Sequence, residues 1–254
     1  MKNIIKVLKT FCHTFLELLF PESGVCFICD SYDEEIGEDH ICDECKQKLK
    51  FIGEHRCSIC GRPLELGYIP DKCHECIKSI HYFTKVIAPL EYTGITKDAI
   101  YKYKYGKKAY MYKALGHLMV QALQNEDIED IDLIVPVPLH RSKLVNRGFN
   151  QAELLGKYIS NYFNIPMDSK NLIRARKTKI QNKLSKKERR KNIKGAFKTK
   201  RSKVFEEKKI LLIDDIYTTG ATVDECSKVL LHAGAEEIVV LVLARGQGSG
   251  NRGQ

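Results

Sequence analysis

Cys26, Cys29, Cys42 and Cys45 recur 31 residues later as Cys57, Cys60, Cys73 and Cys76, with both internal spacings kept. A fixed offset held at four positions means that one structural unit is present twice. Each Cys-x-x-Cys turn sets two sulfurs at a separation suited to tetrahedral zinc, and two such turns fill every coordination position. The expectation is two structural zinc ions, with a redox or iron–sulfur role as the alternative. The repeat favours one ion on the first four cysteines and one on the second four, although spacing leaves a cross-braced pairing open. Little apolar sequence lies between the ligands, so metal binding should supply most of the module's folding energy. Cys12 and Cys226 have no such partner and are expected to be buried, inert helix thiols.

Ten cysteines would signal disulfides in a secreted chain, but no small-residue cleavage site follows the first apolar stretch, so a reducing, cytoplasmic setting is expected. That stretch carries Lys6, Lys9, His13 and Glu17, which leaves it short of the roughly 20 apolar residues of a membrane span. Its apolar residues recur at helical spacing until Pro21, predicting an amphipathic helix over 3–20. The stripe either packs on the next module or, with Lys2, Lys6 and Lys9, touches a membrane surface.

From Lys85 onward strand and helix signals alternate. Strands are expected over 86–92, 131–137, 209–213 and 237–243, with a short one beginning at Leu172, and helices over 96–124, 150–163 and 221–232. Such alternation implies a parallel sheet covered on both faces. The domain plan is the helix over 1–20, a double zinc-ribbon module over 21–80, an α/β domain over 81–245 and a polar, disordered tail over 246–254.

The chemistry concentrates in Ile210-Leu-Leu-Ile-Asp214-Asp215-Ile-Tyr-Thr218-Thr219-Gly220-Ala221-Thr222. Four apolar residues make a buried strand whose end emerges at the ligand-binding edge of the sheet. Two acids there can accept hydrogen bonds from vicinal hydroxyls. The turn that follows offers hydroxyls and backbone amides at a helix start, where unpaired N–H groups and the helix dipole stabilise a phosphate. An ordinary capped helix would not need two acids, three threonines and a glycine together.

This run resembles the signature that binds phosphoribosyl pyrophosphate (PRPP) in type I phosphoribosyltransferases. Together with Val135-Pro-Val-Pro-Leu-His-Arg-Ser-Lys143, Arg147-Gly-Phe-Asn-Gln151 and the double cysteine module, the chain resembles the ComF family, which is linked to bacterial DNA uptake and natural competence. The resemblance implies a type I phosphoribosyltransferase fold preceded by a double zinc ribbon. It implies that Asp214 and Asp215 bind the ribose hydroxyls and that Thr218, Thr219, Gly220, Ala221 and Thr222 cradle the 5-phosphate. Pro136, Val137, Pro138, His140 and Arg141 would form the pyrophosphate loop, with magnesium bridging pyrophosphate and ribose oxygens. Purine-salvage enzymes carry an acid where this chain has Thr218, which counts against a 6-oxopurine acceptor. A DNA-uptake helicase is a partner by family implication alone.

The net charge of +10 is not evenly spread: residues 174–203 hold fifteen Lys or Arg against the single acid Glu188. Such a block usually reads as a solvated or disordered anion-binding segment. It lies where related enzymes have a loop that closes over pyrophosphate, making Arg174, Arg176 and Lys179 candidates for a catalytic clamp. The excess charge, including Arg189, Arg190 and Lys191, suits a polynucleotide backbone. Arg147 and a second patch over 101–112, with Lys102 and Lys104 among tyrosines, are further candidates for single-stranded DNA; the alternative for the patch is a plain amphipathic helix. Two readings follow: a competence protein that binds PRPP or a 5-phosphorylated ribose and handles single-stranded DNA, or a metabolic phosphoribosyltransferase with a nitrogen acceptor. A regulatory PRPP sensor without turnover is a third.

Overall fold

The computed structural model describes residues 24–65, 67–126, 130–178 and 185–246. The helix expected over 3–20, Cys12, Lys179 and the tail beyond Gly246 lie outside them. No helix among the described residues is long and apolar enough to cross a membrane.

Two strands organise the molecule: β6 (Lys209–Tyr217) and β7 (Glu237–Arg245), paired in parallel from Lys209↔Glu237 to Tyr217↔Arg245. Both are almost continuously apolar because both faces of a parallel sheet are covered. Outside them lie β1 (Lys85–Ile87) and β2 (Leu90–Glu91) on β7, and β3 (Leu133–Pro136) on β6, all parallel. Alternation along β6 and β7 then builds two cores. Leu211, Ile213, Val239 and Leu241 face helices α3 (Gly94–Tyr105), α4 (Tyr112–Gln124) and α6 (Gln151–Phe163). Ile210, Leu212, Val240 and Val242 face α8 (Ala221–His232) on the other side.

The zinc-ribbon units take opposite sides of this sheet. Cys26, Cys42 and Cys45 belong to the α3–α4–α6 core, whereas Cys57, Cys60, Cys73 and Cys76 belong to the α8 core. Short helices α1 (Asp43–Lys48) and α2 (His74–Ile77) begin directly after the third cysteine of each unit.

Several expectations need correction. The helix expected over 96–124 is two helices, broken after Tyr105, where Gly106 lies so close to the Lys102 carbonyl that a Cβ there would sit 2.6 Å from the oxygen. The strand expected over 86–92 divides into β1 and β2. The strand expected over 209–213 runs on to Tyr217, so Asp214 and Asp215 are strand residues rather than loop residues. Helix α5 (Arg141–Arg147), capped by His140, was masked from sequence reading by the expected loop.

The basic segment is also more than a solvated strap. β4 (Leu172–Arg174) pairs antiparallel with β5 (Phe197–Thr199), and between them α7 (Lys186–Ile193) starts at a capping box in which Ser185 and Glu188 cap one another. Ile193, Ala196 and Phe197 are buried in the α8 core. Burying a ring like that of Phe197 contributes roughly 1.5–3 kcal/mol, enough to seat a short segment that keeps Arg190 and Lys191 at the surface.

Candidate functional site

The two cysteine sets each converge on a point: within each tetrad the sulfurs lie within 4.8 Å of one another. Cys29 Sγ stands 3.7 Å from Cys42 Sγ, and Cys60 Sγ 3.7 Å from Cys73 Sγ. A regular tetrahedron with Zn–S bonds of about 2.3 Å needs sulfurs roughly 3.8 Å apart, so the donor sets fit zinc. Sequential pairing, not cross-bracing, is the geometry present.

The turn expected to cradle a phosphate follows β6 directly. Gly220 caps α8 with φ +76°, and an added Cβ would fall 2.3 Å from the Tyr217 hydroxyl, so both conformation and space demand glycine. Gly220 has no side chain to cap this helix start, and the first-turn amides point out of the helix, the position at which an anion is stabilised. Residues Thr218, Thr219, Gly220, Ala221 and Thr222 line a small recess beside Asp214, and Thr218 and Thr222 also face a larger cavity of about 350 Å³. Arg189 reaches across from α7 and donates to Thr218 Oγ1 at 3.2 Å.

The paired acids lead different lives because neighbouring strand residues face opposite ways. Asp215 points to the α3 side and pairs with the Lys104 ammonium at 2.5 Å. Asp214 accepts a hydrogen bond from the Asp215 amide at 2.9 Å and lies near Cys226 and Arg174. Burial, then repulsion from Asp215, pushes the Asp214 carboxyl up to about 8. Cys226 is fully buried, and its thiol is pushed up by that burial.

Both acids line the main cavity with Lys104, Lys143, Arg147, Arg174 and Arg189, a cationic surplus. Lys143 is pushed down by burial and then by Arg174 and Arg147, so an anion placed here would stabilise its ammonium. Arg174 stacks over the Phe197 ring at 5.3 Å and donates to Thr178 at 2.5 Å. Val137 and Leu139 bring the end of β3 to the same wall. Pro136 closes β3, Pro138 follows in the connecting turn, and His140 Nδ1 accepts from the Ser142 amide at 3.3 Å to cap α5 with Arg141 at its first position.

Other candidates go elsewhere. Arg176 donates to the Asn192 and Lys194 carbonyls at 3.0 and 2.8 Å, holding α7 to β4 rather than lining the cavity. Lys102 donates to the Ile28 carbonyl at 2.8 Å and so ties α3 to the first zinc ribbon. Lys104, expected on a nucleic-acid face, is the cavity partner of Asp215. Arg190 and Lys191 are exposed on α7, outside the cavity lining.

Sequence reading missed Lys143, Gln151 and the tyrosines Tyr92, Tyr101 and Tyr105 as cavity residues. The first two had a legible signal. Lys143 and Arg147 are four apart on α5, and Arg147 bonds the Gln151 side chain across Gly148, whose φ of +85° ends that helix. Asn150 caps α6 and donates to the Val137 carbonyl at 3.2 Å, locking the Arg-Gly-Phe-Asn-Gln joint against the end of β3.

A family profile described as a double zinc ribbon domain matches residues 15–77. Competence protein F of Haemophilus influenzae is 32% identical over 215 residues, covering 83% of this chain and 92% of that protein. DNA utilization protein YhgH of Escherichia coli K12 is 28% identical, covering 87% and 97%. Competence protein ComFC of Bacillus subtilis is 28% identical, covering 83% and 90%. Among solved structures, adenine phosphoribosyltransferase from Leishmania donovani aligns over 60% of this chain and 75% of that one, at 12% identity and a TM-score of 0.36. That superposition is too loose to carry weight, whereas the parallel sheet and the strand–turn–helix cradle are the arrangement the phosphoribosyltransferase signature predicts. Two cysteine tetrads, that α/β architecture and the near full-length match to competence protein F place the chain in the ComF family of competence proteins.

Proposed function

We propose that this protein binds a 5-phosphorylated ribose of the PRPP class in the cradle after β6, with magnesium, and that its basic surface contacts single-stranded DNA during DNA uptake. The observation that carries the reading is the glycine-started N-terminus of α8 at Gly220, beside a cavity lined by Lys104, Lys143, Arg147, Arg174 and Arg189. The 5-phosphate sits on the amides and threonine hydroxyls of 218–222, and Asp214 and Asp215 take the ribose hydroxyls. A diphosphate occupies the wall made by the end of β3, Lys143 and Arg174. Among the described residues the close clusters of three or more metal-ligating side chains are the cysteine tetrads, so magnesium would be held mainly through ligand phosphate oxygens, which suit a hard cation and neutralise part of their charge.

Isothermal calorimetry of the zinc-loaded protein tests this directly. PRPP with magnesium should bind, and Arg189→Ala should weaken it by roughly tenfold, as loss of one charge-assisted contact does. Wild-type protein that takes up no heat from PRPP or ribose 5-phosphate sinks the cradle reading. Single-stranded DNA affinity should fall steeply with salt, because each neutralised phosphate releases counterions; binding that is absent even at low salt removes the DNA half.

The contact from Arg189 to Thr218 favours a second reading, phosphoribosyl transfer, because it draws the basic segment across the cradle as a closing loop would. Breaking the bond from ribose C1 to diphosphate leaves positive charge on the sugar, and Arg174 and Lys143 would stabilise the departing diphosphate. Pyrophosphate release across a panel of nitrogen acceptors measures it. Release that persists in Asp214→Ala with Asp215→Ala comes from another site.

A further inference from the structure

The α3 wall of the cavity carries Tyr101 and Tyr105, one helical turn apart, with ring centroids 5.0 Å apart and side chains 65% and 59% exposed. Tyr103, between them, is fully buried and donates to the Gln151 carbonyl, so the core uses the inward tyrosine and leaves two rings facing outward. The Arg147 guanidinium lies 5.1 Å from the Tyr105 centroid and holds that ring in place. Beside it a second cavity of about 300 Å³ opens, lined by Lys104, Tyr105, Lys107, Lys143, Asn146 and Arg147. It adjoins the main cavity, sharing Lys104, Tyr105, Lys143 and Arg147, and no carboxylate lines it.

PRPP makes poor use of these features. It has no base for the tyrosines, and its 5-phosphate and its diphosphate are taken up at the cradle and at the end of β3. A nucleic-acid end uses all of them: planar bases stack on tyrosine, and the next backbone phosphate meets the cationic annex. We propose that the Tyr101–Tyr105 wall and the annex form a subsite for the base and the following phosphodiester of a 5′-phosphorylated single strand, at least two nucleotides long. This rests on reading the cradle as a 5-phosphate site.

Four probes on the full zinc-loaded chain test it: thymidine 5′-monophosphate, the 5′-phosphorylated thymidine dinucleotide, the same dinucleotide with a 5′-hydroxyl, and PRPP. The phosphorylated dinucleotide should bind about tenfold tighter than either the mononucleotide or the 5′-hydroxyl form, the size of one backbone or stacking contact. Lys107→Glu should erase the advantage of dinucleotide over mononucleotide and leave PRPP binding unchanged. Tyr105→Ala should weaken both nucleotides by roughly tenfold, with Tyr105→Phe restoring them, as stacking on a ring requires. If mononucleotide and dinucleotide bind equally, or Tyr105→Ala changes nothing, while PRPP still binds, the annex is not a nucleic-acid subsite and the cradle reading stands. If neither PRPP nor any 5′-phosphate binds, the cradle reading fails and takes the annex with it.

Discussion

The two zinc-ribbon units share a spacing, yet they brace opposite walls of one cavity. The first holds the α3 side: Lys102 reaches the Ile28 carbonyl, Lys108 pairs with Asp30 at 2.6 Å, and Phe27 packs edge-on against Tyr110. These ties are largely solvent-facing, and Cys29 is itself exposed. The second holds the cradle side, and its tie through Arg245 is buried. Arg245, at the end of β7, donates to the Cys60 carbonyl at 3.0 Å and to Cys60 Sγ at 3.4 Å, while its guanidinium lies 5.0 Å from the centroid of the Tyr217 ring beneath Gly220. The Tyr82 amide also donates to Asp224 at 3.0 Å in the first turn of α8. A duplicated sequence unit thus does two jobs, set by the face of the sheet it meets.

The strongest way to break that contrast is to remove one metal at a time. Structural zinc binding is worth about 10–16 kcal/mol in small modules at neutral pH, so losing either ion is the largest perturbation available. Cys60→Ser is expected to abolish cooperative unfolding of the whole chain, because the second tetrad is entirely buried in the α8 core. Cys29→Ser, at the exposed ligand, should leave a folded α/β domain with a lowered unfolding midpoint and zinc retained at the second site. Native mass spectrometry for zinc content, paired with calorimetric unfolding, separates the two. Equal damage from both substitutions would erase the asymmetry.

A smaller perturbation asks whether the asymmetry runs through Arg245. Arg245→Ala strips the Cys60 carbonyl of its donor and opens space beside Tyr217, costing about 2–4 kcal/mol. Lys102→Ala removes the equivalent tie of the first unit, but at a half-exposed site, and should cost about 1 kcal/mol or less. Urea unfolding gives both values. Similar costs would mean that burial does not distinguish the two braces.

Local sequence patterns carried the parts of this design that local physics decides. Cys-x-x-Cys spacing, the apolar run before Asp214 and the threonine-glycine turn each act within a dozen residues, and each sits at a tetrad, sits at the cavity or leads directly into it. Lys102 and Lys104 show the limit. They are two apart on one helix and chemically alike, yet one meets a zinc-ribbon carbonyl and the other a carboxylate of the cavity, because the packing of α3 between distant segments decides it. Arg245 was invisible for the same reason: its partner Cys60 lies 185 residues away. Charge counting took residues 174–203 for a solvated strap because it weighed fifteen cations and overlooked three buried apolar residues and one acid used as a cap.

The finest test of the two-sided arrangement is the pH dependence of stability that Asp214 imposes. Asp214, on the α8 side, has its folded-state carboxyl raised to about 8 by burial and by Asp215, against an ordinary value near 3.8. The native state therefore holds a proton that the unfolded chain has already lost once the pH exceeds the ordinary value. Stability should fall as pH rises from about 4 to about 8, with a slope of at most about 1.4 kcal/mol per pH unit from this group. Asp214→Asn, which mimics the protonated acid, should flatten that slope. Asp215→Asn should shorten the fall rather than abolish it: removing its charge frees the Lys104 ammonium and relieves Asp214 of a repelling neighbour, so the Asp214 carboxyl comes down and the fall ends at a lower pH, while burial keeps part of it. Chemical denaturation between pH 5 and 8, without added nucleotide or magnesium, resolves the three curves. If both substitutions flatten the slope alike, the fall does not belong to Asp214 alone and the sheet does not divide the environments of the two acids.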